Sequence, residues 1–115
     1  MRFMVIHYID QVVLNAEEDD DPAEARERDA WDEEMDRRGI LIGGGVLRPP
    51  RETKTLRVRN GEVLVTHGPF AETKEQIAGY MVLECADLTE AIEVSSRHPT
   101  VRYGTFEVPP MPLWD

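Results

Sequence analysis

The sequence predicts an α+β sandwich of ferredoxin-like type, a mostly antiparallel sheet with two helices on one face. Three observations lead there. Strand-like apolar runs occupy residues 3–9, 40–47 and 79–85. Two helix starts, Asp21-Pro22 and Asp87-Leu88, stand after strand-like runs and ahead of others. Asn60-Gly61 lies at the centre of an alternating segment, the strongest short-range hairpin signal. The resulting order is strand, helix, strand, hairpin, strand, helix, strand. At 115 residues this is one domain, residues 1–108, followed by a Pro-rich tail at 109–115.

Phe3 to Ile9 is β-branched and aromatic-rich, and apolar on both alternating faces, as a strand covered on both sides would be. Asp21 then supplies an N-cap carboxylate, Pro22 the first helical position and Glu24 an anion in the first turn. The helix carries Ala23, Ala30, Trp31 and Met35 as its apolar stripe, has Arg37 and Arg38 in its last turn and stops at Gly39. Ile40 to Leu47 returns as a strand whose three glycines permit a bulge or a close backbone approach, and Pro49-Pro50 ends it. A phosphate-loop reading of Gly43-Gly44-Gly45 fails, because such a loop needs a helix N-terminus directly behind it.

Thr55 to Arg59 and Glu62 to Thr66 form the hairpin arms. Gly79 to Cys85 is the next strand, with Met81, Leu83 and Cys85 on one face and Tyr80, Val82 and Glu84 on the other. Asp87-Leu88-Thr89-Glu90 repeats the cap pattern, Leu88, Ala91 and Ile92 form an inward stripe, and the helix closes at His98-Pro99. Arg102 to Val108 is the last strand. The tail is either frayed or an arm that lays Leu113 and Trp114 on a surface. With the helices on one face, the other sheet face lacks a cover. Val5, Ile42 and Leu83 are expected to line it, and a second copy stacking sheet on sheet would bury it, so a homodimer is expected.

The net charge is −10, and residues 17–38 hold twelve of the 23 acidic groups against four basic ones. That field opposes nucleic acid and anionic membrane, both of which need clustered cations. The acidic helix over residues 22–38 could instead engage a basic protein surface. Residues 48–59 form a local exception, where Arg48, Arg51, Lys54, Arg57 and Arg59 outweigh Glu52; a solvated strand edge is the favoured reading there. No run of 18 apolar residues and no cleavage-type leader is visible, which suggests a soluble, cytoplasmic protein. Cys85 is the single cysteine, and His7, His67 and His98 have no metal spacing, so neither a disulfide nor a metal site is expected. No dinucleotide or Walker motif is present, and no cofactor is expected.

The chemically dense stretch is His67 to Tyr80. His67 precedes a Gly-Pro corner, where it can either cap the turn through its ring nitrogens or pair with Glu72 or Glu75 as an acid/base couple. Thr73 to Gln76 has capping-box spacing and is expected to close one helical turn, pinned to the core by Phe70. Charges as dense as Glu72, Lys74 and Glu75 beside a buried aromatic would need to be paired or used. The candidate catalytic residues are therefore His67, Glu72 and Glu75, with Phe70 and Lys74 as ligand contacts. His7 shares its strand side with Phe3, Val5 and Ile9, and reads either as a satisfied core histidine or as a polar group lining a cavity.

The same stretch, His-Gly-Pro-Phe-Ala-Glu-Thr-Lys-Glu-Gln-Ile-Ala-Gly-Tyr, resembles the signature of the YCII-related, or DGPF-domain, family. The resemblance extends to Met4–Tyr8, to Gly45-Val46-Leu47-Arg48-Pro49-Pro50 and to Asp87–Ala91, and so covers nearly the whole chain. It implies a dimeric α+β barrel. For relatives, both an enzymatic role and an association with extracytoplasmic-function sigma factors have been proposed, and the resemblance implies no established reaction. The expected function is a small-molecule-binding homodimer with cofactor-free acid/base chemistry, the alternative a non-catalytic regulatory module. Two positions depart from the family pattern: His67 stands where Asp is usual, and Pro109 where Arg is usual. A histidine titrating near neutrality could carry protons at position 67 better than a carboxylate.

Overall fold

The computed structural model describes residues 1–112. Its elements are β1 (Arg2–Asp10), α1 (Gln11–Ala16), α2 (Pro22–Arg37), β2 (Leu41–Val46), β3 (Lys54–Arg59), β4 (Glu62–His67), β5 (Glu75–Glu84), α3 (Leu88–Ser96), β6 (Thr105–Glu107) and β7 (Pro110–Met111). Single 3-10 turns fall at Pro50–Glu52 and Pro99–Arg102. The main sheet has the order β2-β5-β1-β6, with β7 pairing the start of β1, and every pairing in it is antiparallel. This is the α+β arrangement expected from the sequence, and the single chain does not close its sheet into a barrel. The β3–β4 hairpin forms a separate two-stranded sheet.

Local chemistry sets the element ends. Asp21 accepts from the Ala23 N–H at 3.0 Å and Asp87 from the Glu90 N–H at 2.9 Å, while Glu90 reaches back to the Ala86 N–H at 2.9 Å. Gly39 ends α2 in the left-handed region, with φ +71°. Asn60 and Gly61 both have positive φ, 50° and 77°, as a type I′ turn demands. A bulge falls between Leu41 and Gly43. The α1 helix, unforeseen in the sequence, is held at its start by the Asp10 carboxylate, which accepts from the Val12 N–H at 2.8 Å.

The core lies between the sheet and the helices α2 and α3. Phe3, Val5, Met81 and Leu83 of the strands meet Trp31 and Met35 of α2 and Ala91 and Val94 of α3. Burying each of the larger side chains contributes roughly 1.5–3 kcal/mol. Trp31 Nε1–H donates to the Val94 carbonyl at 2.9 Å, tying α2 to α3.

Several sequence expectations are corrected. Val5 and Leu83 are fully buried on the helix side, so the open sheet face is formed by the alternate residues, Met4 and Ile6 of β1 and Tyr80 and Val82 of β5. Ala23 and Ala30 are exposed; the inner stripe of α2 runs through Glu24, Arg28, Trp31 and Met35, the helical repeat in which two charged residues precede two apolar ones. No helical turn forms at Thr73–Gln76. There the Gln76 amide folds back to donate to Ala71 O at 2.8 Å and Thr73 Oγ1 at 3.1 Å, and the strand begins at Glu75 rather than Gly79. The last strand starts at Thr105, because His98-Pro99 opens a 3-10 turn first. Pro110–Met111 adds to the sheet edge beside β1, whereas the placement of Leu113 and Trp114 lies outside the described residues.

Candidate functional site

Glycines shape a cleft on the helix side of the sheet. Gly44 opposes Met81, Gly45 opposes Tyr80 and Val46 opposes Gly79 across the β2–β5 ladder. A Cβ on Gly79 would lie 2.7 Å from Gly45 O, and one on Gly44 would lie 2.6 Å from Tyr80 O. Neither position admits a side chain, and the strands there present bare backbone. Above this floor stands the charged half of α2's inner stripe, where a core helix would place apolar residues. The result is a cleft of about 480 Å³, bounded by Gly43–Gly45 and Gly79, by Arg28, Asp29 and Asp32 of α2, and by His7, His98 and Tyr103. That volume is in the range of small-molecule sites.

Two imidazoles meet at its inner end. His7 stacks on Phe106, with centroids 4.0 Å apart and planes 13° from parallel, and lies 5.3 Å from His98. His98 also meets Trp31 edge-on at 4.9 Å. His98 caps its own 3-10 turn, its Nδ1 accepting from the Thr100 N–H at 3.2 Å, which leaves the proton of the neutral ring on Nε2. His7 Nε2 is buried with no hydrogen-bond partner. Burial, and secondarily each other's company, lowers the His7 pKa to about 4; burial, and secondarily the Arg28 guanidinium, lowers that of His98 to about 4. Both rings are neutral at neutral pH; His98 has a donor left at Nε2, and His7 an unpaired Nε2.

The rim is acidic and partly tied. Arg28 pairs with Asp20 at 2.8 Å and with Glu24 at 3.4 Å, and the Tyr103 hydroxyl donates to Glu24 Oε1 at 2.7 Å. Asp32 has no ion pair or side-chain hydrogen bond among the described residues, and partial burial together with Asp29 raises its pKa despite Arg28. An exposed carboxylate without a partner, beside another carboxylate, is suited to a cation or a hydrogen-bond donor on a ligand.

The residues singled out in the sequence are distributed among separate places. Of them, only His7 borders the cleft, and it does so as a cavity-lining group rather than a satisfied core histidine. His67 is exposed at the end of β4, opposite Lys54, and its ring has no hydrogen bond among the described residues. Glu72 is exposed. Lys74 and Glu75 border an open groove with Tyr8, Asp10, Thr105 and Glu107, in which the Glu75 carboxylate accepts from Thr105 Oγ1 at 2.9 Å. Phe70 is not buried: it is 75% exposed, with the Arg57 guanidinium 4.8 Å from its ring centroid. The charges of this loop therefore sit in water, and the cost expected from a buried neighbour does not arise. Pro109, where the family pattern has Arg, uses its carbonyl to accept from the Met4 N–H at 3.1 Å.

Sequence reasoning missed His98 as a site residue, reading it as a helix stop without metal spacing, and missed the cleft-facing positions of Arg28, Asp29 and Asp32. The available signal was the interruption of the apolar stripe at positions 24 and 28. Among the described residues no helix is long and apolar enough to cross a membrane.

The family model of the YCII-related domain matches residues 1–115. An uncharacterized protein of Rhizobium meliloti (strain 1021) is 34% identical over 119 residues, covering 99% of this chain and 94% of the relative.

Proposed function

This chain belongs to the YCII-related domain family, and we propose that it is a homodimer that binds a small organic molecule in the glycine-floored cleft, with proton transfer through His7 and a hydrogen bond from His98. One observation carries the reading: His7 Nε2 is buried without a partner beside a second neutral imidazole, at the end of a cleft sized for a ligand. A buried polar atom left unsatisfied costs about 1–3 kcal/mol, and a ligand that pairs with it recovers that loss. His7 can take a proton from one ligand atom on its unprotonated ring nitrogen and return that proton to another, while His98, whose Nδ1 is engaged by the Thr100 N–H, holds the ligand with a hydrogen bond from Nε2–H. The dimer is supported by the open sheet face, where no helix packs and Met4, Ile6 and Val82 are only half-buried and Tyr80 exposed. A cytoplasmic location suits the lone buried thiol, Cys85.

The test is a panel of small amines, organic acids and carbonyl compounds, followed by the ring resonances of His7, His98 and His67. Binding in the cleft moves the first two and leaves His67 still, and His7→Phe abolishes the response. If instead His67 moves together with signals from Phe70, Lys74 and Glu75, and His67→Ala removes the effect, the signature loop with His67, Glu72 and Glu75 is the acid/base site and the cleft reading falls.

A second reading, a regulatory module that engages a basic protein surface through α2, is favoured by the acid density of residues 22–38. Because Asp29 and Asp32 border the cleft, reversing them would disturb both readings at once. Glu33 and Asp36, exposed and away from the cleft, separate the two. Loss of a pull-down partner in a Glu33→Lys/Asp36→Lys protein that still binds a panel compound would support a protein-docking role.

A further inference from the structure

The cleft offers two different chemistries. Its rim carries Asp20, Asp29 and Asp32 against a single cation, Arg28. Arg28 is already engaged, by Asp20 at 2.8 Å and by Glu24 at 3.4 Å, whereas Asp29 and Asp32 have no ion pair or side-chain hydrogen bond among the described residues. The inner end is uncharged but lacks partners. His98 is only 6% exposed, and its Nε2–H donates to nothing among the described residues; His7 Nε2 is buried and equally unpaired. Carboxylates on a rim can be satisfied by water, but an imidazole almost wholly withdrawn from water calls for a partner in the cleft. The remaining walls are apolar, with Ile9, Leu14, Leu41 and Met81 around the glycine floor.

We infer that the cleft takes an organic cation: an amine whose ammonium group sits against Asp29 and Asp32, and whose other end is a neutral group, such as a primary amide or a hydroxyl, that both accepts and donates hydrogen bonds. Such binding presupposes the ligand site proposed above and adds to it the class of ligand. Charge selects the cation. A carboxylate ligand would meet three carboxylates lining the same cleft, and could gain a counter-charge only by displacing Asp20 or Glu24 from Arg28. An ammonium instead relieves the repulsion between Asp29 and Asp32, the same repulsion that helps to raise the Asp32 pKa. The neutral end is selected by the rings. A carbonyl or hydroxyl oxygen accepts from His98 Nε2–H, and the same group can pair with His7 Nε2. The apolar walls suit a short carbon chain joining the two ends.

Three matched series of linear primary amides with two to six methylenes, ending in an ammonium, a methyl or a carboxylate, test it by titration of the His7 and His98 ring resonances. Because the rim carboxylates face water, the expected gain is modest: an ammonium amide binds about fivefold or more tighter than its methyl match, and the carboxylate match binds weakest. Asp32→Asn is expected to remove that preference while the methyl amide still binds. Glu33→Gln, exposed on the same helix and away from the cleft, is expected to leave it intact. Methyl or carboxylate amides that move both rings as well as the ammonium amides do overturn the choice of a cation and leave the cleft standing as a ligand site. If no member of any series moves either ring, the cleft site and its ligand class fall together. A preference untouched by Asp32→Asn refutes the ammonium seat, and equal loss from Asp32→Asn and Glu33→Gln refutes it too, showing attraction to the acidic helix at large. Should Asp32→Asn fail to fold, Asp29→Asn replaces it under the same criteria.

Discussion

The signature loop and the glycine-floored cleft both concentrate polar groups, but they treat water in opposite ways. In the loop, His67, Glu72 and Lys74 project into solvent, Phe70 lies on the surface under Arg57, and the fixed contacts are those by which Gln76 clamps the turn. In the cleft, His7 and His98 are taken out of water and both have their basicity suppressed. Density of charge in a sequence is thus a poor guide to a site. What marks the cleft is polar groups held where folding alone would prefer apolar ones.

The sharpest way to break that contrast is at the floor. Gly79→Val forces a Cβ to within 2.7 Å of Gly45 O and is expected to destabilise the fold by roughly 2–3 kcal/mol or more, read as a shift in the denaturant midpoint. Gly43→Val, where a Cβ meets nothing within 4 Å, should leave stability nearly unchanged while obstructing the cleft, so the pair separates folding from binding. If both substitutions cost the same, the floor is not shaped by close backbone approach.

Next in size is the response to acid. The two imidazoles have folded pKa values of about 4 against 6.5 in the unfolded chain, so between those values the unfolded state binds protons that the native state refuses. Stability should therefore be full above pH 6.5 and fall as the pH drops towards 4, by up to roughly 3 kcal/mol for each ring. A His7→Phe/His98→Asn protein should lose most of this dependence, while His67→Ala keeps it. Unfolding free energies at a series of pH values supply the check, and equal slopes in all three proteins would remove the distinction between buried and exposed histidines.

The loop side predicts smaller effects. Gln76→Ala removes the donor to Ala71 and Thr73 and should cost about 1 kcal/mol, raising hydrogen exchange from Ala71 to Glu75 without changing the cleft. Phe70→Ala gives up only the contact with Arg57 and should cost about 0.5–1 kcal/mol in thermal unfolding.

The elements were readable wherever a local rule decides them. Asp21, Asp87, Gly39 and Asn60-Gly61 act within a turn of themselves, through hydrogen bonds or backbone angles that neighbouring residues satisfy, and each behaves as its residue type demands. The exceptions share one cause. Thr73–Gln76 has the spacing of a capping box, but β1 pairs Ile9 with Gln76 and Asp10 with Glu75, and that ladder draws the segment into a strand. Likewise the stripe of α2 is expected to include its alanines beside Trp31 and Met35, because sequence patterning assumes that a buried position is an apolar one; Arg28 takes an inner position because a cleft, not a core, faces it, and Glu24 follows as its ion-pair partner.

Family membership and the α+β order of elements follow from the chain alone, since a long signature, strand periodicity and helix caps are properties of residues close together in sequence. The site does not. His7 and His98 are 91 residues apart, and they meet because antiparallel β6 brings Phe106 beside His7 while the turn before it turns His98 inward. The glycine floor of the cleft depends on the register of β2 against β5, which sets glycine opposite the backbone it must approach. Long-range pairing decides which polar groups lose their water, and no local pattern contains that information.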